Sequence, residues 1–231
     1  MSKGVFLVPV WFFYSLNSSI LLTFAVDMTS TQTTLLPVME TFYSIQGEGE
    51  HSGRAAFFIR LGGCDVGCSW CDVKESWDAD AHDKVEVAAL AQMALESGAE
   101  IVIVTGGEPL MHNLNDLTFH LQSLRLKTHI ETSGTHPLTG QWDWVCFSPK
   151  KFKAPLEEIY GVSDELKVVV LNKHDLLWGE DHAKKVKDDC VLYFQPEWDK
   201  QESTCPMIVN YIHDNPRWKI SLQTHKFLGI R

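Results

Sequence analysis

The apolar residues of this chain fall in short runs that stop on glycine or small polar residues, and that punctuation limits the fold more than any other feature. Residues 55–61 (AAFFIRL) stop at Gly62-Gly63, 100–104 (EIVIV) at Thr105-Gly106-Gly107, and 127–131 (KTHIE) at Thr132-Ser133-Gly134. Residues 142–147 stop at Ser148-Pro149-Lys150, and 166–171 (LKVVVL) and 191–195 (VLYFQ) follow. Runs of this length with such boundaries read as buried strands. Between them, 85–97 (VEVAALAQMALES) carries apolar residues at helical spacing and stops at Gly98. Helices are also predicted over 113–124 and 203–213, with a last strand near 218–223. Alternating strand and crossover predicts an α/β fold, a parallel sheet with helices outside. With the helix between the fourth and fifth strands short or missing, the expectation is an incomplete (β/α) barrel whose site lies at the carboxyl ends of the strands. Architecture alone names no reaction.

A chain of 231 residues, 45% hydrophobic, suits one domain with a full core. Its net charge of −10 disfavours nonspecific contact with nucleic acid or anionic membranes, which needs clustered Lys and Arg. A small molecule is the better substrate class. Residues 4–26 carry no charge. Their length suits a bilayer span, but Pro9, Ser15, Asn17, Ser18 and Ser19 divide the run. A secretory signal is a second reading, although no clean small-residue cleavage site follows. The favoured reading sets 1–27 apart as an apolar extension, with translation starting at Met28 and a single domain over 28–231. The domain is expected in the cytoplasm, a reducing compartment.

Cys64, Cys68 and Cys71 form a C-x3-C-x2-C loop directly after the first strand, whereas Cys146, Cys190 and Cys205 are scattered and read as small buried hydrophobes. Clustered thiols on a polar, Gly-rich loop have little core to fill and point to metal. Soft thiolates suit zinc or an iron–sulfur cluster. Structural zinc wants a fourth ligand at compact spacing, and an electron-carrier ferredoxin wants a fourth Cys. Neither lies nearby; His82 is the nearest later His and is not placed in a finger-like pattern. Three ligands leave one iron of a cubane open to a further molecule.

The triad, with aromatic Trp70 before its last Cys, resembles the signature of the radical S-adenosylmethionine (SAM) superfamily. Thr105-Gly106-Gly107-Glu108-Pro109 resembles that superfamily's Gly-Gly-Glu-Pro segment, where two glycines let main-chain carbonyls approach the SAM amine. The resemblance implies a 4Fe-4S cluster, SAM bound to its open iron, and reductive cleavage to a 5′-deoxyadenosyl radical. The expected fold is then an incomplete barrel of the radical SAM type with a reduced helix complement.

Within the superfamily, residues 38–231 resemble the 7-carboxy-7-deazaguanine synthases of queuosine and deazapurine biosynthesis, which are carbon–nitrogen lyases. These convert 6-carboxy-5,6,7,8-tetrahydropterin to 7-carboxy-7-deazaguanine with release of ammonia. Ser44 to Gly49 (SIQGEG) looks like the family's substrate loop, and Arg60 stands where the family binds the substrate carboxylate. The resemblance implies substrate contacts from Ile45, Gln46, Gly47, Glu48, Arg60, Thr105, His225 and Arg231. It implies cofactor contacts from Trp70, Cys71, Asp72, Gly106, Gly107, Glu108, Ser133, Ser148, Pro149, Lys150, Gln195, Pro196, Glu197 and Trp198. Glu131 to Gly134, Glu165 to Lys167 and the tail from Leu222 match further family segments. No side chain is expected as a general base. An unidentified electron donor and a homodimer are implied. One position departs: Val73 stands where the family has a Thr that ligates Mg2+. Asp72 or Ser76, with waters and substrate, are the alternatives for that ion. Another radical SAM enzyme, such as a glycine-radical activase, and a non-enzymatic zinc or iron–sulfur protein are the competing readings.

Overall fold

The computed structural model describes residues 33–231, so the readings made for residues 4–26 lie outside the described residues. The elements are β1 (Leu35–Ile45), β2 (Ala55–Leu61), β3 (Asp83–Glu86), α1 (Val87–Glu96), β4 (Ile101–Gly106), α2 (Asn115–Ser123), β5 (Lys127–Thr132) and β6 (Trp144–Phe147). They continue as α3 (Glu158–Val162), β7 (Glu165–Val170), α4 (Lys173–Ala183), β8 (Val191–Pro196), α5 (Gln201–Asp214), β9 (Trp218–Ile220) and α6 (Thr224–Leu228). One sheet runs β3-β1-β2-β4-β5-β6-β7-β8-β9. From β2 to β9 the neighbours are parallel and follow chain order. A doubly wound sheet would reverse its order partway. Right-handed crossovers that always step the same way keep every helix on one face and curl the sheet toward a barrel.

The two faces can be read strand by strand, because side chains alternate. Phe57, Ile59 and Leu61 of β2, Val102 and Val104 of β4, and Leu166, Val168 and Val170 of β7 join the main core. Leu90 and Ala94 of α1, Leu117 and Leu121 of α2, Ile159 of α3, Leu176 of α4 and Ile208 of α5 lie against them in that core. The intervening residues Phe58, Arg60, Thr105, Glu131, Lys167, Val169 and Gln195 face the concave side and line a cavity there. Each strand therefore sends one set of residues to the core and the other to the site.

The expected strands are present, and α3 is the short helix foreseen between the fourth and fifth of them. Two antiparallel strands extend the sheet beyond the expected parallel set: β1 pairs with both β2 and β3. The start of the helix expected over 85–97 is β3 instead, because Asp83–Glu86 pairs with the start of β1. Helix α4 also went unforeseen. Its capping box joins Asn172 and Asp175, and Asp175 accepts from the amides of Leu171 (2.7 Å) and Asn172 (2.8 Å). Among the described residues, no helix is long and apolar enough to cross a membrane.

Candidate active site

The loop after β2 carries the three cysteines and is pinned from below by its own backbone. Gly63 N–H donates to Ser76 O at 2.7 Å, Cys64 N–H to Trp77 O at 3.1 Å, and Cys71 N–H to Cys68 O at 3.1 Å. His112 bonds the Gly62 carbonyl at 2.7 Å. Cys64, Cys68 and Cys71 are free thiols on the wall of one cavity of about 300 Å³, and no fourth cysteine lines it. Burial pushes the Cys64 thiol up and the Cys68 thiol to about 11. Such thiols lose their protons only to cations placed among them, as cluster irons are. Three soft donors on one side of a cavity with open space opposite fit a cubane with one uncommitted iron.

Beside that loop lie the carboxyl ends of β4, β5 and β6. Glu108, buried, accepts from Leu110 N–H (3.0 Å), Thr132 Oγ1 (2.6 Å), Ser133 N–H (2.8 Å) and the Ser133 hydroxyl. The glutamate of the Gly-Gly-Glu-Pro turn thus ties two strand ends together. Glu108 N–H donates to Gly63 O at 2.8 Å, and a Cβ on Gly107 would overlap that same carbonyl oxygen, so only glycine lets the turn approach the cysteine loop. Lys150 donates to the Ser148 carbonyl (2.5 Å) and hydroxyl (2.6 Å), and its ammonium stands 5.9 Å from the Trp70 ring centre. Burial lowers its pKa.

Deeper along the concave face sits a charged group at the heart of the sheet. Lys167 donates to Glu48 and to Glu131, each at 2.8 Å. Gln46 donates to the other Glu131 oxygen at 3.1 Å, and Gln223 to the other Glu48 oxygen at 2.9 Å. Burial pushes the Glu48 carboxyl up, but the Lys167 ammonium and the bonds from Lys167 and Gln223 outweigh it and hold it down at about 2. Burial alone would lower Lys167; the carboxylates around it raise it well above its ordinary value. On the β1–β2 side, Arg60 pairs with Glu40 at 2.8 Å, and Arg231 pairs with the other Glu40 oxygen at 2.7 Å. The cavity is therefore polarised. The Arg60 and Arg231 guanidiniums gather about Glu40 on the β1–β2 side; the Glu48 and Glu131 carboxylates gather about Lys167 toward β5 and β7.

Comparison with known proteins bears on this arrangement. Residues 58–146 match the radical SAM superfamily. The chain is similar to the 7-carboxy-7-deazaguanine synthase of Flavobacterium psychrophilum, at 50% identity over 210 residues covering 91% of this chain and 100% of the relative. The chain belongs to the 7-carboxy-7-deazaguanine synthase family. The synthase of Synechocystis sp. is 48% identical over 195 residues, 84% of this chain and 93% of the relative. The crystal structure of QueE from Escherichia coli superposes with a TM-score of 0.72 at 31% identity, covering 81% of this chain and 93% of that one. The incomplete barrel is thus the family's fold, and membership in the superfamily implies the 4Fe-4S cluster and SAM.

Nearly every family position singled out in the sequence lines the one cavity, from Ile45 to Glu48 on the loop after β1 to His225 and Arg231 at the tail. Pro149 lines a smaller neighbouring cavity with Ser69, Phe152 and Trp178, and Trp70, Lys150 and Val169 line both cavities. Gly47 must be glycine, since a Cβ there would overlap the His225 ring, and Thr224 N–H donates to its carbonyl at 3.0 Å. The Mg2+ position fits its ion poorly. Val73 lines the cavity without an oxygen, Ser76 is buried with its hydroxyl bonded to Val73 O at 2.7 Å, and Asp72 is paired with Lys226 at 2.7 Å. Glu40, Gln223 and Lys226 were not singled out from the sequence. Gln223 and Lys226 lie within the family-like tail from Leu222, and Lys167, a cation inside an otherwise apolar strand run, was a further signal.

Proposed function

We propose that this chain is a 7-carboxy-7-deazaguanine synthase acting on 6-carboxy-5,6,7,8-tetrahydropterin, with release of ammonia. The observation that carries this reading is the polarised cavity beside the three cysteines. A carboxypterin has a carboxylate at one end and a row of N–H donors on its aminopyrimidinone at the other. Arg60 on the β1–β2 side suits the carboxylate, through the planar fork that guanidinium offers. Glu48 and Glu131, both paired with Lys167, present acceptor oxygens that suit the N–H edge. When bound, the cluster and SAM supply reversible hydrogen-atom abstraction.

The chain's own residues bind, orient and exclude water. Cys64, Cys68 and Cys71 would hold the cluster, and the Glu108 carboxylate fixes the strand ends against which SAM would lie. Gln195, whose amide oxygen accepts from Ser221 Oγ at 2.7 Å, forms the wall on the β8 side with Pro196, Glu197 and Trp198. His225 and the tail cover the pterin side. No side chain is assigned as a general base; the hydrogen abstraction that starts the reaction would be supplied by the bound cofactor. Mg2+ has no assigned role here: Val73 has no side-chain oxygen, the Ser76 hydroxyl is buried against the Val73 carbonyl, and Asp72 is paired with Lys226.

The test is anaerobic incubation of the reconstituted protein with SAM, reductant and the carboxypterin, following product by mass. Formation of the deazaguanine acid with SAM regenerated is the expected result. SAM cleavage without that product would overturn the substrate assignment while leaving the superfamily chemistry standing.

A further inference from the structure

The reading above has Arg60 receive a carboxylate, and on that reading we propose that Glu40 is its positioning residue and sets the site's preference for a carboxylated ligand. Glu40 and Arg60 are direct partners across the antiparallel β1–β2 pair. Their pairing depends on an irregularity. Val38 pairs with Leu61 and Glu40 with Arg60, so Met39 is an extra residue bulged out of the ladder. Before the bulge, Leu36 belongs to the main core and Val38 packs against it. After it, Phe42 lies on the opposite face, stacked on Phe58 at 4.8 Å between ring centres and lining the cavity. In an unbroken strand, Leu36, Val38, Glu40 and Phe42 would share one face. The bulge moves the even-numbered residues from the helix side to the cavity side at the point where a carboxylate is needed.

The bond geometry gives that carboxylate a task. Glu40 takes Arg60 by Nε at 2.8 Å, and among the described residues the two Nη atoms have no protein partner. An arginine held by Nε keeps its terminal Nη edge, two parallel donors, for an incoming carboxylate. The second Glu40 oxygen takes Arg231 Nη1 at 2.7 Å, and Ser44 donates to the Arg231 carbonyl. The unpartnered Nη edge of Arg60 offers a carboxylate two parallel charged donors, a seat that a neutral group lacking two acceptor oxygens cannot fill in the same way.

The experiment measures binding of two fluorescent, unreactive probes, 6-carboxypterin and pterin, to anaerobic holoenzyme with SAM. Glu40→Ala is expected to weaken 6-carboxypterin by about 10- to 100-fold and pterin by no more than about twofold. In an Arg60→Ala background the same change is expected to cost less than about threefold, because the arginine it positions is gone. Glu40→Gln keeps the shape and one acceptor, so a smaller loss with the same selectivity is expected, and it secures the test if the alanine variant fails to fold. Iron content and the cluster absorbance should stay at wild-type levels. Equal losses for both probes, or an undiminished loss in the Arg60→Ala background, would overturn the proposal. Wild-type protein with no preference for the carboxylated probe would defeat the functional reading and this inference together. A preference left undiminished from wild type in both Glu40 variants would defeat this inference alone.

Discussion

Replacing Lys167 by Met would remove the cation between Glu48 and Glu131 and leave two carboxylates facing one another inside the sheet. Breaking a buried pair in this way costs about 3–5 kcal/mol, so Lys167→Met is expected to lower unfolding stability by that order in urea titrations. The pair also has a pH signature. Glu48 titrates at about 2 in the fold, below its ordinary 4.5, so its contribution is complete above pH 4.5 and is lost as pH falls toward 2. The wild type should therefore lose stability across that window, and Lys167→Met should show a shallower slope there from a lower starting point. Val73→Thr tests the magnesium position. A hydroxyl beside Asp72 is expected to raise the response of product formation to added Mg2+ over that of the wild type, and an identical Mg2+ titration for both would count against it.

At the scale of elements, α6 buries none of its residues, yet it supplies Thr224 to the Gly47 carbonyl and Lys226 to Asp72. Deleting 224–231 is therefore expected to abolish carboxypterin binding while shifting the melting temperature by no more than a few degrees. Calorimetry and thermal unfolding on one preparation check both halves. The elements also differ in how legible they are. Strand β2 could be read directly from AAFFIRL, a buried run closed by two glycines. Strand β1 was hidden because its bulge breaks the period and much of it is only half-buried. Helix α4 (KHDLLWGEDHA) was hidden because its apolar face is narrow and Gly179 interrupts it; that glycine is needed where the helix meets the Phe194 ring. The cysteines were legible because ligand spacing is local. Glu40 and Gln223 were not, because each acquires its role from a residue on another element.

For the whole molecule, the main core lies between the sheet and the outer helices, and the cysteine loop contributes nothing to it. Chelating the cluster is thus expected to leave far-UV circular dichroism and cooperative melting intact while activity and visible absorbance vanish. That outcome differs from a zinc finger, in which the metal is the folding energy. The loop that follows β1 has a further consequence. Gly47 and Gly49 are held by Thr224 and Ser221, with separations of 177 and 172 residues along the chain. During synthesis the chain emerges amino end first, so the loop carrying Gln46 and Glu48 leaves the ribosome long before the segment that secures it. A nascent chain can thus display its three thiols and most of its sheet while the ligand chamber lacks a wall. The capacity to bind ligand therefore arrives late in biosynthesis, after the thiols and most of the sheet are already in place.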